Sequence, residues 1–467
     1  MTDSGVAGIR ARFAGQAVVV GAGVGGLAAA RVLADHFERV LVLEAGELPS
    51  VPRPRTGTPQ ARHVHGMLAR GATQLEELFP GLRAQLVAAG APLFDHGLSA
   101  STTVFAGRVP RVRAGVMAHG FSRDLLEWTL RDRLRRLPAV IVRDSSPVAG
   151  LRWSVDTARV VGVRLASAEL VDAAFVVDAS GRFSALPQWL AQAGYPAPAE
   201  QVVDARLGYA TMLFQAPDQD FEALQQMNSA PEQTRGAFVV HTDGGTWTVT
   251  LFGAGGDHPP TDEPGWRQFA SSLGNPDLDT LLRAATPVPG VAVHAFKRTE
   301  NRLRRYARMP RQPKGLVAIG DSVAAFDPVF GQGMTVSILE AVALGRALAA
   351  ADEPEAATAP AQRSIARIVR TPWLMSVSED LAWQHYRTRG TLPPWLRALL
   401  WYKRRLIRLV VSDPCVLRVF LGVYHMVRPP AALFNPRIAG KVLFGATSPT
   451  ASASASASAS KPGKDGR

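Results

Sequence analysis

Cysteine is almost absent. Cys415 is the only one in 467 residues. One thiol cannot close a disulfide within the chain or build a cysteine metal site, which suits a reducing compartment. Long apolar runs are missing too: no uninterrupted stretch reaches the roughly 20 residues that cross a bilayer. The first fifteen residues contain Asp3, Arg10 and Arg12 and no apolar segment, so no signal peptide is expected and a cytoplasmic location is. His63 and His65 stand two apart, and side chains two apart do not share a helix face. With no other ligand cluster, no metal is expected. Zinc-finger spacings and RNP-like motifs are also lacking, so nucleic acid is not the expected partner. Acidic residues are outnumbered, leaving a net charge of +13. That excess is mostly arginine, spread along the chain, with one dense zone near the C-terminus.

Hydrophobic residues make up 47% and charged residues 19%, a globular composition long enough for two or three domains. The most informative stretch runs from Gln16 to Glu44, QAVVVGAGVGGLAAARVLADHFERVLVLE. Val18, Val19 and Val20 predict a buried strand. Gly21, Gly23 and Gly26 follow as G-x-G-x-x-G, Leu27 to Phe37 has helical character, and Val40 to Leu43 is a second strand ending in Glu44. Each part has a physical role in holding a dinucleotide. Gly21 makes the tight turn, Gly23 lets a pyrophosphate approach the backbone, and Gly26 lets helix and strand pack closely. The helix N-terminus offers free N–H groups and partial positive charge. Glu44 can accept from both ribose hydroxyls, and its charge disfavours a 2′-phosphate, so NADP is not expected in this pocket.

Further along, VPRPRTGTPQ (51–60) is a loop. Ala61 to Gly90 predicts one or two helices, and Phe121 to Leu137 a helix capped by Ser122. Strands are expected at 101–105, 108–113, 160–163 and 175–177, the last leading into Asp178-Ala179-Ser180-Gly181-Arg182. Residues 201–299 alternate and turn often, as a mostly antiparallel sheet does. Leu316 to Ile319 predicts another nucleotide-domain strand. It leads to Gly320-Asp321, then Asp327-Pro328-Val329-Phe330-Gly331-Gln332-Gly333-Met334 and a helix from Thr335 to Ala350. Helices fill 364–444. The Ala-Ser tail has no apolar pattern and should be disordered.

Three patches, the first G-x-G-x-x-G with its acid, the mid-chain glycine turn and the late Gly-Asp with Pro-x-x-G-x-G, occur in the order found in flavoprotein hydroxylases. The chain resembles the para-hydroxybenzoate hydroxylase fold over residues 15–375. Pro59 to His65, Asp178 to Arg182, Trp247 and the low-complexity tail resemble bacterial polyene epoxidases of polyether assembly, relatives of squalene epoxidase. The resemblance implies an α/β fold: a Rossmann-like FAD-binding domain (15–60, 111–190 and 300–350), a mostly antiparallel substrate domain (61–110 and 191–299), C-terminal helices (351–446) and the tail (447–467). It implies FAD held by Gly21, Gly23, Gly25, Gly26, Glu44, Arg62, Arg123, Val148, Asp321, Pro328, Gly331, Gly333 and Met334, with NAD(P)H as electron source. Arg123 and Arg62 would reach the phosphate or ribityl region, and Asp321 the ribityl hydroxyls. The helix after Gly333 would stabilise negative charge on the reduced ring.

The implied chemistry is transfer of oxygen from a flavin C4a-hydroperoxide to an alkene of an apolar prenylated or polyketide substrate. It needs no side-chain base. No catalytic residue is assigned; His63 and His65 are the candidate proton donors. A reductase of prenyl double bonds and an aromatic hydroxylase are the alternatives. A flavin-free escort protein is disfavoured by the intact glycine pattern. A halogenase is disfavoured by the lack of a Trp-x-Trp-x-Ile-Pro-like segment and of lysine before Lys297. The mid-chain turn departs from hydroxylases that reduce their own flavin: Ser180 replaces an Asp, and Pro187 and Gln188 stand where an Arg is usual. A separate flavin reductase is therefore an expected partner. Finally, Trp395 to Val411 (WLRALLWYKRRLIRLVV) is amphipathic and basic. It either packs on the flavin domain or lies on a membrane surface, and both readings stay open.

Overall fold

The computed structural model describes residues 11–445 apart from 56, 156–157 and 389–390. The expected tail disorder falls outside these residues. Strand β1 (Phe13–Val20), helix α1 (Val24–Leu33) and strand β2 (Phe37–Leu43) form the expected βαβ unit. Phe37 opens the second strand instead of closing the helix. It is buried, with its ring 5.3 Å from Phe13 and 6.1 Å from Phe175, and that packing takes it out of the helical pattern. Five parallel strands make the sheet, in the order Leu316–Ala318, Phe175–Asp178, β1, β2, Val140–Arg143. Val18 lies opposite Leu41 on one side and Val176 on the other. Both faces of this sheet are covered, so the strands read as continuous β-branched runs.

The helix Gly333–Ala349 crosses α1 at close range. A Cβ at Gly345 would lie 2.5 Å from the Val32 side chain, and one at Gly25 would lie 3.1 Å from Ser337. These glycines let the two helices meet with their N-termini on the same side of the sheet. The helices Ala69–Leu78 and Leu82–Ala88 pack on this core too, through Leu75, Leu82 and Leu86. Residues 61–110 are thus shared between the two parts of the molecule, whereas the sequence assigned them to the substrate domain alone.

A second sheet of eight strands is almost wholly antiparallel; only Ala100–Val104 and Ala223–Gln226 pair parallel. Its centre is the trio Gly208–Gln215, Thr246–Gly253 and Arg235–Thr242. Residues 63–68 do not continue a helix. The Val64 N–H donates to Thr250 Oγ1 at 2.9 Å, and the His63 ring bonds Thr211 Oγ1 at 2.7 Å. The segment is thereby tied, extended, onto this sheet. Beyond Thr358–Thr388, a C-terminal module of Pro394–Ser412, Pro414–Tyr424 and Pro436–Phe444 packs around its own apolar cluster. In its first helix the buried stripe is Leu396, Leu406, Ile407 and Val410. Trp395 faces solvent, one position out of register with that stripe. No described helix is long and apolar enough to cross a membrane.

Candidate functional site

The glycine turn is dictated by close contacts. Gly21 has φ of 104°, and a Cβ there would lie 2.5 Å from the Ala179 carbonyl oxygen. A Cβ at Gly26 would lie 1.9 Å from the Gly21 carbonyl oxygen. Gly23 differs: its nearest neighbours would be Arg123 at 3.9 Å and Glu127 at 4.0 Å. Space is therefore left beside the α1 N-terminus, on the side where a guanidinium stands.

Charges close this end in a chain. Glu44 accepts from the Ala22 N–H at 2.8 Å and the Gly46 N–H at 3.2 Å, and pairs with Arg55 at 3.1 Å. Arg55 also donates to Glu127 Oε2 at 3.0 Å, and Arg123 donates to Glu127 Oε1 at 2.8 Å. Burial alone would push the Glu127 carboxyl up; Arg123 and Arg55 outweigh it and hold it below the usual carboxylate range. Ser122 caps the Arg123–Arg135 helix by accepting from the Leu125 N–H, and Asp243 of the second sheet holds Ser122 in turn. Arg123 is thus aimed by both parts of the molecule. Arg55 and Glu127 were missed in the sequence. Glu127 could have been found from its i,i+4 spacing to Arg123 on a buried helix face; Arg55 sits in a proline-rich loop and carries no such signal.

Across the cleft, Asp321 lies in a short turn, with its Oδ1 3.9 Å from where a Cβ of Gly333 would be. Burial raises its carboxyl from the ordinary value, against the pull of Arg182, Arg123 and Arg304. Among the described residues it accepts no hydrogen bond. The Gly320 N–H donates to the buried Glu340, which pins the turn to the helix behind it. Pro328 opens a one-turn helix ended by Gly331 at φ 61°, and Gly333–Ala349 begins there with Met334 half-buried beneath it. The structure groups Gly21, Gly23, Gly26, Glu44 and Arg123 around the α1 N-terminus and Asp321 and Gly333 at the start of the later helix, and the two groups meet where Ser337 packs on Gly25 and Gly320. Arg62 is exposed, with Nη1 3.2 Å from the His294 ring, and lies near enough to Asp124 to pull its carboxyl down. Val148 is half-buried in strand Val148–Trp153, paired with Leu165. Beside Glu44, it is Ser145 and Ser146 that close the strand end, bonding Gly46 and Glu44 carbonyls.

His63 and His65 are neutral bases here. Burial lowers His63 to about 4 and His65 to about 3, the latter helped by Arg123, whose Nη1 lies 3.4 Å from its ring. At neutral pH neither ring carries a proton beyond its single N–H.

In front of the Pro328–Gly333 turn a cavity of about 770 Å³ opens. Its walls come from the loop after the strand Ala223–Gln226 (Met227), the turn (Val329), the long helix (Trp383) and the C-terminal module (Leu399, Phe420). Among the described residues its wall holds one buried acidic pair, Asp327 and Asp380, both almost fully shielded from solvent. The two histidines do not line it.

Comparisons with known proteins agree with this geometry. Residues 15–360 match the FAD binding domain family. The chain is 37% identical over 428 residues to protein Rv3254 of Mycobacterium tuberculosis, covering 88% of this chain and 89% of that one. It is 27% identical to kynurenine 3-monooxygenase of Salinispora tropica, over 78% of this chain and 80% of that one. Among solved structures, a triple mutant of the flavin-dependent brominase Bmp2 superposes with a TM-score of 0.62 at 16% identity, over 91% of this chain and 98% of the other. The p-nitrophenol 4-monooxygenase PnpA of Pseudomonas putida superposes with a TM-score of 0.60 at 16% identity, over 87% and 96%. These two likenesses speak to fold. The family match takes in both sheets and the helix from Gly333, and the chain accordingly belongs to the FAD binding domain family, the FAD-dependent monooxygenases of para-hydroxybenzoate hydroxylase type.

Proposed function

We propose that this monooxygenase acts on an extended apolar substrate held in the cavity, and that its reaction is epoxidation of an alkene, or hydroxylation. The observation that carries the reading is the cavity: about 770 Å³, walled mainly by residues such as Met227, Val329, Trp383 and Phe420, and ending at the Pro328–Gly333 turn. A space of that size suits a long or polycyclic ligand more than a single aromatic ring.

The residues present fit FAD. Gly23 leaves room at a helix N-terminus, and Asp321 has free acceptor capacity among the described residues. In our assignment Gly21, Gly23, Gly25, Gly26 and Arg123 hold the pyrophosphate, Glu44 the ribose and Asp321 the ribityl chain. Pro328, Gly331, Gly333 and Met334 face the ring. When bound, FAD supplies the activation of oxygen. The chain's own part is to bind and orient the alkene and to keep water out. An alkene needs no base, which fits His63 and His65 being held neutral and off the cavity wall, whose own histidines are His96 and His385. NAD(P)H is the proposed electron source. We assign its delivery to a separate flavin reductase, because Asp178 spends its carboxylate on Ser180 and Ser184 within the turn.

Peripheral membrane contact belongs to the same reading. Trp401 and Phe434 are 46% and 52% exposed and also line the cavity, so its mouth opens on an apolar surface, and Lys403, Arg404 and Arg408 lie nearby on one helix. An anionic bilayer would match that surface. Vesicle co-sedimentation, with and without anionic lipid, tests it.

The deciding experiment for the reaction is anaerobic reduction with NADPH or NADH, then oxygen and a panel of polyenes, prenylated aromatics and phenols. Oxygen uptake matched to epoxide is the expected result. Hydrogen added across a double bond would make the protein a prenyl reductase, and turnover of phenols alone would make it an aromatic hydroxylase.

A further inference from the structure

Arg123 stands beside Gly23, with Nη2 as its nearest nitrogen. The rest of its guanidinium is held from two sides. Nε donates to Glu127 Oε1 at 2.8 Å, and Nη1 lies 3.4 Å from His65 Nε2. A guanidinium has no lone pair to offer, so His65 Nε2 is the acceptor. The other ring nitrogen settles the same point independently. His65 Nδ1 lies 2.8 Å from the His63 carbonyl oxygen, which can only accept, so Nδ1 carries the hydrogen. Both contacts require one tautomer, a neutral imidazole with its lone pair turned to Arg123.

The segment that carries His65 is itself fastened. The Val64 N–H donates to Thr250 Oγ1, the His63 ring bonds Thr211 Oγ1, and the two threonine hydroxyls bond each other at 2.7 Å. His65 therefore reaches Arg123 from the antiparallel sheet, while Glu127 reaches it from one turn along the arginine's own helix. Two fixed points set the plane of a rigid, planar guanidinium. Among the described residues Nη2 has no acceptor, and it is left facing the space beside Gly23.

The charge of the holder matters. Glu44, Arg55, Glu127 and Arg123 form a chain in which two carboxylates balance two guanidinia. A third carboxylate in place of His65 would also orient Arg123, but it would leave the group net negative beside a diphosphate. An imidazole orients without adding charge. Burial and the neighbouring Arg123 lower the His65 ring to about 3, so it keeps that form at neutral pH. We propose that His65 is a positioning residue for cofactor binding: its uncharged lone pair holds Arg123 so that Nη2 is presented to the pyrophosphate of FAD beside Gly23. This rests on our placing the pyrophosphate at Gly23 and Arg123. It gives His65 a part in holding the cofactor and takes it out of the search for a proton donor.

The test titrates the full chain, freed of FAD, with two ligands. FAD is followed by its fluorescence. ADP, which carries the pyrophosphate without the flavin ring, is followed by its competition with FAD. Arg123→Met should weaken both. His65→Leu should weaken both by about tenfold, the worth of one hydrogen bond to a charged group. His65→Gln, which keeps a neutral acceptor, should restore most of that loss. His65→Glu, which accepts but is charged, should bind FAD no better than His65→Leu. In the Arg123→Met background His65→Leu should cost nothing more, because the histidine acts only through the arginine. Should His65→Leu fail to fold, His65→Ala takes its place. Unchanged FAD affinity in His65→Leu, a loss as large in His65→Gln, full affinity in His65→Glu, or a loss that adds to that of Arg123→Met would each overturn the proposal. So would an effect on FAD that spares ADP, which would put His65 at the flavin ring. If Arg123→Met itself leaves both affinities unchanged, the pyrophosphate lies elsewhere and the role of His65 falls with it.

Discussion

At the nucleotide end, the turn, the helix N-terminus and the acid all lie between Gly21 and Glu44, in one βαβ unit. At the cavity end, Met227, Val329, Trp383 and Phe420 share a wall although no two belong to the same element. The first region works through backbone groups and charges, the second through apolar bulk with one carboxyl pair. The contrast shows how much of a binding site can be local. The 1.9 Å approach of a Cβ at Gly26 to the Gly21 carbonyl is enforced by a short stretch of chain, whereas the cavity exists only once both sheets and the C-terminal module are in place.

If that contrast is right, the nucleotide end should be brittle and the cavity end tolerant. Glu127→Ala should have the largest effect. It strands the buried Arg123 guanidinium and leaves Arg55 with Glu44 alone, and breaking a buried ion pair costs about 3–5 kcal/mol. Urea denaturation of the apoprotein measures it, and a loss under 1 kcal/mol would mean that water reaches the pair. Next comes Gly26→Ala, whose Cβ would meet the Gly21 carbonyl. Overpacking of this kind costs about 1–3 kcal/mol, and the same titration reads it. Gly23→Val separates binding from folding. The position is open, so apoprotein stability should hardly change, yet FAD affinity should drop by ~100-fold, about 2.7 kcal/mol, as flavin fluorescence titration would register. Retained affinity would move the pyrophosphate away from Gly23.

The two ends also differ in their response to pH. Burial holds the His63 and His65 rings down to about 4 and about 3, so below the ordinary 6.5 the unfolded chain takes up protons that the folded chain refuses. That contribution is complete above 6.5 and is lost as the pH falls. Asp380 has the opposite sign. Its carboxyl, raised from 3.8 to about 10, keeps a proton that the unfolded chain releases. Its contribution is complete below 3.8 and is lost as the pH rises towards 10. Thermal midpoints from pH 4 to 10 should fall at both extremes, and Asp380→Asn should flatten the alkaline limb alone. The smallest effect belongs to the surface of the C-terminal module. Changing Lys403, Arg404, Arg405 and Arg408 to Gln should shift stability by under about 1 kcal/mol, because ion pairs such as Lys403 with Glu379 and Arg404 with Glu232 are partly exposed. Calorimetry checks it, and a larger loss would show that this module depends on its charges.

The sequence by itself determined the βαβ unit, the FAD-binding family, the parallel and antiparallel sheets and the late glycine helix. Each is written in short-range patterns: a valine run, glycines at fixed spacing, alternation along strands. Its errors came where distant packing overruled local character. Phe37 left the helix because Phe13 and Phe175 receive its ring. Residues 63–68 are extended because Thr211 and Thr250 capture them. Only the tertiary structure decided that Arg55 and Glu127 would join Glu44 to Arg123, and that Asp380 would meet Asp327 in the wall of a cavity. Hydrogen bonds and ion pairs between residues far apart in the chain leave no periodic trace in it, since a single arginine or aspartate finds its partner only when the fold brings the two together.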